Sequence, residues 1–469
     1  MLGFCLILSK EIIEHHGAGK KATLAQQERM KIMYRERIGV VILEGGQPTD
    51  LVEHQMVSVR RGMTLDAIAK LRHIPEIDVI YLSTNYPELA AAATELGAVV
   101  VPEEPPFHFG RCLQYVINQG QLDGVIYMGG ASCPFLTADE FRQMARDLRQ
   151  RKNVVFTNNP QSADIVAFTP AQAINVIDLP DNDNILPTRL RQGAGLERIF
   201  LPHSVGVHFD IDTPSDVLVM SLSPRVEKHT RQAIASLNWD NSRLRQALNH
   251  LASPESHIFL AGRVNPWTMQ HIGMYYRSRL RVISEERGMR AMGRAERGEV
   301  HSLLAFMMEQ LSPQGLVDYI SSIADAAFID TRIIFAHYRL DLSEGQRFAS
   351  DLGWLDSIGH PLVEELTAAA FNASIPIILG GHSLVAGSMW ALVDTLRFAD
   401  GQVRLPATYS SHTIEADHAW GGRPLREIMS SGELKGQIVG VLSGDLWLEA
   451  PLPGATVLQP GDRLYLRQE

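Results

Sequence analysis

From Ile38 onward, short runs of apolar, mostly β-branched residues alternate with longer stretches of helical periodicity. The runs IGVVIL, DVIYLSTN and AVVVPE predict strands. Between the first two, TLDAIAKLRHI has apolar residues at Leu65, Ile68 and Leu71, the spacing of an amphipathic helix. YPELAAAATELG and RCLQYVINQG predict further helices. Strand–helix alternation of this kind predicts a largely parallel sheet that is covered by helices on both faces.

The pattern changes character several times along the chain. It predicts an N-terminal arm at 1–37, a first α/β domain at 38–221, a helical connector at 222–253, a second α/β domain at 254–400 and a small β-rich module at 401–469. In the second α/β domain, HIFLAG, RIIFAH and IPIILGG predict strands, with helices around 268–285, 300–325, 360–373 and 383–398. The last part has short alternating runs broken by glycine and proline, which is typical of β-rich modules.

Composition places the chain among folded proteins and excludes some partners. Of 469 residues, 45% are hydrophobic and 20% are charged, which does not fit a disordered chain. The net charge of −10 argues against nucleic acid or an anionic membrane surface as the main partner. Three widely spaced cysteines without a CxxC pair indicate a cytoplasmic protein, and the first apolar run is too short for a membrane anchor. Formation of a homo-oligomer stays open.

Two short motifs in the first domain carry candidate chemistry. Gly45 and Gly46 follow the first strand directly and would let backbone amides approach a phosphate, although glycine pairs are also ordinary turn residues. Asp210 and Asp212 are two residues apart, so both point to the same side of an extended segment. Carboxylate oxygens in this arrangement suit Mg²⁺ bound together with substrate phosphates. An Asx-turn and helix cap without metal fits the same pattern.

Several segments resemble the GT-A-fold nucleotidyltransferases in their order and spacing. They are VVILEGG, GMTLDAIAKL, IDVIYLSTNYPELAAAATELGAVVV, VIYMGGASCPFLTADEF and FDIDTPSDV, and they cover residues 38–221. The family includes the molybdenum-cofactor guanylyltransferases and the acylneuraminate-type cytidylyltransferases. The resemblance implies a GT-A, Rossmann-like domain. It also implies transfer of a nucleotidyl group from an NTP to a small phosphorylated or hydroxylated acceptor, with Mg²⁺ as cofactor.

The resemblance also implies roles for individual residues. In the guanylyltransferase branch one strand ends in Asp-x-Pro, whose aspartate binds Mg²⁺, whereas here Ser132 has that position. The cytidylyltransferase branch lacks this acid and leaves the metal to an Asp-x-Asp near the end of the domain, which Asp210 and Asp212 resemble. The implied roles are metal binding and catalysis for these two aspartates, nucleotide binding for Gly45 and Gly46, and contact with the acceptor or nucleoside for Ser132.

The glycine loop departs from the family pattern. The family continues from the glycines to an arginine and a lysine that neutralise the triphosphate, but this loop continues with Gln-Pro-Thr-Asp and is preceded by Glu44. Arg60 and Arg61 are the nearest cations, and Arg61 is the candidate for the catalytic role. Because acids beside a triphosphate are unfavourable, a degenerate nucleotide- or ligand-binding or scaffolding domain stays open as an alternative.

The second α/β domain offers a separate candidate site. Arg263 follows the strand HIFLAG, His337 and Arg339 follow RIIFA, and His382 follows IPIILGG. Ligands bind beyond the carboxyl ends of strands in α/β sheets, so these side chains are expected to converge on an anionic ligand. His337 or His382 would then act as an acid, a base or a metal ligand. Each histidine taken singly also fits a structural hydrogen-bonding role.

Overall fold

The computed structural model describes residues 36–103, 106–159, 162–398, 409–413, 419–431, 437–443, 446–449 and 456–467. Its strands are β1 Ile38–Leu43, β2 Val79–Thr84, β3 Val99–Pro102, β4 Gly124–Gly129, β5 Val154–Thr157, β6 Ile165–Thr169, β7 Glu197–Phe200, β8 His257–Gly262, β9 Arg279–Ser284, β10 Ala326–Asp330, β11 Ile377–Gly380, β12 Tyr409–Thr413, β13 Gln437–Ser443, β14 Leu446–Glu449 and β15 Arg463–Arg467. Apart from its last two residues, the predicted N-terminal arm lies outside the described residues.

Helices connect most of these strands. They are α1 Leu51–Leu71, α2 Pro87–Glu95, α3 Phe109–Gly120, α4 Ala138–Gln150, α5 Leu186–Ala194, α6 Val205–His208, α7 Pro214–Leu222, α8 Lys228–Ala235, α9 Ser242–Ala252, α10 Pro266–Tyr275, α11 Leu303–Ile323, α12 Thr331–His337, α13 Glu344–Leu352, α14 Pro361–Asn372, α15 Gly387–Phe398 and α16 Leu425–Ser430. Among the described residues, no helix is both long and apolar enough to cross a lipid bilayer.

The first sheet has seven strands in the order β3-β2-β1-β4-β6-β5-β7. All neighbours are parallel except those of β6, which runs against β4 and β5. The strand order reverses between β1 and β4, because the chain leaves β1 toward β2 on one side and β4 lies on the other. In open α/β sheets this reversal leaves a crevice at the carboxyl edge where ligands bind.

Helix α1 is longer than the sequence pattern predicts. The predicted helix starts at Thr64, whereas α1 starts at Leu51, and the side chain of Asp50 accepts a hydrogen bond from Glu53 N as its N-cap. The added turns bury Val52 and Met56 against the second α/β part of the chain. Arg60 and Arg61 therefore lie on a helix, and this fixes the direction in which they reach the glycine turn.

The second sheet is wholly parallel, in the order β11-β10-β8-β9. Here two sequence predictions are wrong. RIIFAH belongs to helix α12, because the preceding AAFID already forms the central strand β10 and the Asp330 side chain then caps the helix. The end of the predicted helix at 268–285 is strand β9, whose alternating exposure is typical of an edge strand rather than a helix.

The β-rich C-terminal sheet is antiparallel, in the order β12-β15-β13-β14. A small core that includes Trp420, Ile428 and Leu464 lies against it. Three sheets thus occur where the sequence predicts them, and the α/β class with a mostly parallel first sheet is confirmed. The connector is helical too, with α8 and α9. The domain boundaries stay a prediction, since residues 38–469 form one compact unit.

One hydrophobic core joins the two α/β parts. It includes Val52 and Met56 of α1, together with Phe328 of β10 and Trp390 of α15. Gly387, at the start of α15, lies directly against the backbone of residues 208 and 209. This contact leaves no room for a side chain, so the second part of the chain is held tightly against the segment that carries the acid pair.

Replacing Gly387 by alanine should destabilise the protein by about 2 kcal/mol, the scale of an overpacked core position. Its Cβ would overlap the carbonyl oxygen of His208 and lie 2.9 Å from Phe209 Cα, and backbone atoms cannot move aside cheaply. Gly273→Ala is the control, because that helical glycine has no atom within 4 Å of the added carbon. Denaturant unfolding measures both variants. Equal stabilities would contradict the tight packing.

Candidate active site

Three segments meet at the carboxyl edge of the first sheet. The tip of β4 touches the end of β1, where Gly130 N donates a hydrogen bond to Leu43 O at 2.9 Å. On its other side, Ile211 N donates to Ala131 O at 3.3 Å. The glycine turn after β1 and the acid pair at 210 and 212 therefore both border the β4 tip. The topology brings together the motifs that the sequence singled out.

The glycine turn is held in place by a neighbouring asparagine. Gly46 N donates to Asn85 Oδ1 at 3.1 Å, and Asn85 Nδ2 donates back to Gly46 O at 2.8 Å. Gly46 has φ 147°, which favours glycine. A side chain on Gly45 would collide with the carboxylate of Glu103. Glycine therefore shapes this turn, which carries the acidic side chain of Glu103 along its side.

Both predicted arginines reach the neighbourhood of the turn. Arg60 Nε lies 3.1 Å from Glu44 Oε1. Burial raises the pKa of Glu44, and Arg60 opposes that rise. Arg61 lies over the ring of Tyr86, 4.3 Å from its centroid, and its Nη1 is 3.5 Å from Glu88 Oε2. Arg60 is thus committed to Glu44, whereas Arg61 is partly exposed beside the turn.

The first turn of α1 is satisfied by acidic side chains. Glu53 N donates to Asp50 Oδ1 at 2.9 Å, and Thr49 N donates to Glu53 Oε2 at 2.7 Å. The second carboxylate oxygen of Glu53 accepts from Gly345 N at 3.1 Å. Free amides at a helix N-terminus are what binds a phosphate in many nucleotide sites. In this chain, the Asp50 carboxylate occupies one of them, the amide of Glu53.

The acid pair differs sharply in exposure. Asp212 is exposed, whereas Asp210 is half-buried and its Oδ1 is buried with no hydrogen-bond partner in the described part of the chain. Burial raises the pKa of Asp210 well above its ordinary value, and the carboxylates of Asp164, Asp212 and Asp216 raise it further. The backbone of Ile211 opposes this rise, but no cationic side chain among the described residues does so.

Asp164 is a site residue that the sequence analysis missed. It lies just before β6, and because β6 is antiparallel its start lies at the edge where β1 and β4 end. Asn158 Nδ2 donates to Asp164 Oδ2 at 2.7 Å. Burial, opposed by this bond, raises the pKa of Asp164 to about 7, with a further rise from Asp212. The sequence carries no signal for this placement, because only the antiparallel pairing of β6 brings Asp164 to this edge.

The helix-cap alternative for the acid motif belongs to a different aspartate. Asp216 Oδ2 accepts from Thr213 N and Thr213 Oγ1, each at 2.8 Å, in a capping box at the start of α7. Its Oδ1 accepts from Ser388 Oγ at 2.7 Å. Asp216 therefore caps helix α7, and the side chains of Asp210 and Asp212 do not take part in this cap.

The donor set at this edge suits a hard cation. Among the described residues, no three histidine, cysteine, aspartate or glutamate side chains are gathered closely enough to hold a metal ion by themselves. Mg²⁺ does not need such a cage, because it commonly takes one or two carboxylates and completes its shell with water and substrate phosphates. Asp210 and Asp212, with the orphaned Oδ1 of Asp210, fit that requirement.

Ser132 occupies the predicted place at the β4 tip but is buried. Its backbone N donates to Gly129 O at 3.2 Å, and Cys133 follows with φ 52°. Ser132 lies beside a very small cavity that also touches Met63 and Phe141, on the core side of the tip. The tight turn accounts for the small residues in this stretch. It does not present Ser132 to solvent.

A larger cavity of about 320 Å³ lies away from the acid pair. It is lined mainly by the connector and α7, with Val217, Ile234 and Trp239 in its wall. The polar Arg231 beside it already donates to Val226 O. The unpartnered carboxylate and the perturbed pKa values lie at the sheet edge and not at this cavity, which makes the edge the candidate site.

The second candidate site is only partly assembled. Arg263 and His382 both follow strands and lie near Asp330, the last residue of β10. His337 and Arg339 lie at the far end of α12, so the predicted four-residue convergence fails. There His337 Nδ1 accepts from Ser302 N at 3.1 Å, and Arg339 Nη2 donates to Gly298 O at 3.0 Å. Strand β10 ends before them, which moves them off the edge.

No protein-family model matches the chain, and no curated protein matches it. Solved structures are similar over part of it. A cytidylyltransferase from Leptospira borgpetersenii has 13% identity, covers 43% of this chain and 94% of its own, and gives a TM-score of 0.34. A 4-diphosphocytidyl-2C-methyl-D-erythritol synthase from Anaerococcus prevotii has 14% identity, covers 43% of this chain and 96% of its own, and gives a TM-score of 0.29. Glucosyl-3-phosphoglycerate synthase from Mycobacterium tuberculosis, in complex with Mg²⁺ and UDP, has 14% identity, covers 47% of this chain and 83% of its own, and gives a TM-score of 0.29.

Proposed function

We propose that the carboxyl edge of the first sheet binds a nucleoside triphosphate with Mg²⁺ and transfers its nucleotidyl group to a small phosphorylated or hydroxylated acceptor. One observation carries this proposal: Asp210 Oδ1 is buried, lacks a partner and faces further carboxylates at Asp164 and Asp212. Uncompensated buried charge is costly. A cation at this position offsets that cost, and the adjacent glycine turn lets a phosphate approach the backbone closely.

Each residue then has a stated task. Asp210 and Asp212 would hold the ion, which when bound neutralises charge on the transferring phosphoryl group. The backbone at Gly45 and Gly46 meets the phosphates, and the partly exposed Arg61 lies beside them. An acceptor oxygen attacks the α-phosphorus, and the bond from that phosphorus to the bridging oxygen breaks. Pyrophosphate leaves with the bonding electrons.

Calorimetric titration with each of the common NTPs, with and without Mg²⁺, tests the binding step. We expect one or two NTPs to bind and to need Mg²⁺. Pyrophosphate release with pooled metabolites as acceptors then tests transfer. NTP binding that is equally tight without divalent cations, or no binding of any NTP, would overturn the proposal.

A ligand-binding domain without turnover is the second candidate, and a specific observation favours it. The glycine turn is bordered by Glu44 and Glu103, Arg60 is already paired, and the Asp50 carboxylate occupies the Glu53 amide of α1. Such a surface repels a triphosphate unless several cations accompany it. Mg²⁺-dependent nucleotide binding with no pyrophosphate release from any acceptor would support this candidate over the transferase.

Two glycine substitutions separate ligand contact from packing. In Gly45→Ala the new Cβ meets only the far ends of Glu103 and Asn85, so the stability should change by less than about 1 kcal/mol while nucleotide binding falls about tenfold. In Gly130→Ala it would lie 2.6 Å from Glu44 Cβ, on a side chain fixed by Arg60, and destabilisation of about 2 kcal/mol is expected. Denaturant unfolding and calorimetry measure both. Unchanged nucleotide affinity in Gly45→Ala would remove the turn from the binding site.

A further inference from the structure

The edge of the second sheet borders the acid pair. Ser383 Oγ donates a hydrogen bond to the carbonyl oxygen of Asp210 at 2.7 Å. Gly381 packs so closely that an added Cβ would lie 2.8 Å from Thr213 Cγ2. His382 lies between these two residues, so its backbone is next to the segment that carries Asp212. The carboxyl edges of both sheets therefore contribute to one cleft.

Arg263 is oriented toward this cleft by a buried aspartate. Its Nε and Nη2 donate to the two oxygens of Asp330, at 2.6 and 3.1 Å. Gly262, with φ 122°, permits this approach, because a side chain there would collide with Asp330 Cβ. Within the described residues Arg263 Nη1 has no protein partner, and 13% of the side chain is exposed. Because Asp330 holds the guanidinium group of Arg263 in one orientation, its remaining N–H donors can bind an anion with little loss of conformational entropy.

Two further groups complete the surface. Arg287 is exposed in the loop that follows β9, and this loop leaves the sheet beside Arg263, because Glu285 N donates to Gly262 O at 3.0 Å. Burial and then Arg263 lower the pKa of His382 to about 4, although Asp330 and Asp212 oppose this, so the imidazole is neutral near pH 7. A neutral imidazole retains a nitrogen that accepts a hydrogen bond. In the described part of the chain this ring has no hydrogen-bond partner of its own.

We propose that Arg263, Arg287 and His382 form the acceptor subsite and bind a small molecule through a phosphate or carboxylate group. The inference rests on the proposed function, since the bound acceptor would face the nucleotide across Asp212. Guanidinium groups pair with either anion through two parallel hydrogen bonds. The hydroxyl of the acceptor donates to His382, which positions its oxygen toward the first sheet.

Inorganic phosphate and acetate serve as probes for the two kinds of anion, without nucleotide or divalent cation. We expect calorimetry of the full chain to detect millimolar binding of at least one probe. Arg287→Gln should weaken it about tenfold, because this exposed arginine contributes charge without holding the fold. Arg290→Gln is the matched control, an exposed arginine on the same loop, and should leave the affinity unchanged. Asp212→Asn should tighten binding, because it removes a carboxylate that repels the anion.

The outcomes separate this inference from the proposed function. Tighter probe binding in Asp212→Asn, together with loss of binding in Arg287→Gln, supports the subsite even if no NTP binds. Preference for phosphate indicates a phosphorylated acceptor, and preference for acetate indicates a carboxylated one. No binding of either probe, equal binding in Arg287→Gln and wild type, or weaker binding in Asp212→Asn would overturn the subsite, whatever the result for nucleotides.

Discussion

Replacing Asp210 by asparagine should lower Mg²⁺-dependent transfer by about 100-fold or more and, at the same time, stabilise the metal-free protein. The loss follows because an amide is a poor ligand for Mg²⁺ compared with a carboxylate. The gain follows because the carboxylate of Asp210 is surrounded by Asp164, Asp212 and Asp216 and has a buried oxygen without a partner. We expect a stabilisation of about 1–3 kcal/mol, because the amide carries no charge to be repelled and its NH2 group can donate to a neighbouring carboxylate.

The stabilisation should depend on pH in a defined direction. Because the pKa of Asp210 is raised in the folded state, the folded protein holds this proton more strongly than the unfolded chain does. Wild-type stability therefore falls as the pH rises above the unfolded pKa of about 4. The Asp210→Asn variant has no carboxyl group to ionise at this position, so it does not lose this stability. The gain is small in acid and grows toward neutral and alkaline pH, as denaturant unfolding at several pH values would show.

Two variants act as controls for the Asp210 result. Asp212→Asn removes an exposed carboxylate, so it should reduce transfer with little change in stability. Asp178→Asn changes an exposed aspartate outside the site and should alter neither quantity. If Asp210→Asn destabilised the metal-free protein, or left transfer intact, Asp210 would be a structural residue and the metal role would be lost.

The first sheet and its edge were accessible from the sequence because their signals are local. Apolar runs fix β1 and β4, and the glycines and the Asp-x-Asp motif follow directly in the chain. Asp164 was not accessible, because only the antiparallel direction of β6 brings its start to that edge. Which way a strand runs depends on tertiary pairing, and the hydrophobic pattern of the strand itself does not record it.

The second sheet was less accessible from the sequence than the first. The strands at Arg263 and His382 were found, but the central strand was placed one element too late, at RIIFAH, because isoleucine and phenylalanine favour strands in isolation. The cap formed by Asp330 and the packing of α12 overrode that preference. The apposition of the two edges also could not be predicted, since it depends on contacts such as Ser383 with Asp210, which are 173 residues apart.

Replacing Arg332 by methionine should destabilise the protein by about 3–5 kcal/mol, the range found when one partner of a buried ion pair is removed. Arg332 is 8% exposed and Asp351 is 3% exposed. Arg332 Nη1 donates to Asp351 Oδ1 at 2.8 Å, and Nη2 donates to the other carboxylate oxygen. Without the guanidinium, Asp351 would retain a buried charge that has lost both of these hydrogen bonds, with the more weakly acting Arg347 as a remaining cation.

The double variant Arg332→Met/Asp351→Leu should recover most of the lost stability, because two apolar side chains replace the pair and leave no charge behind. Arg297→Met is the matched control: its partner Glu299 is exposed, as is Arg297 itself, so a change below about 0.5 kcal/mol is expected. Arg332 also lowers the pKa of Asp330, the residue that orients Arg263. Probe anions should therefore bind more weakly to the single variant. A double variant as unstable as the single one would show that packing around Arg332, and not the unpaired aspartate, sets the cost.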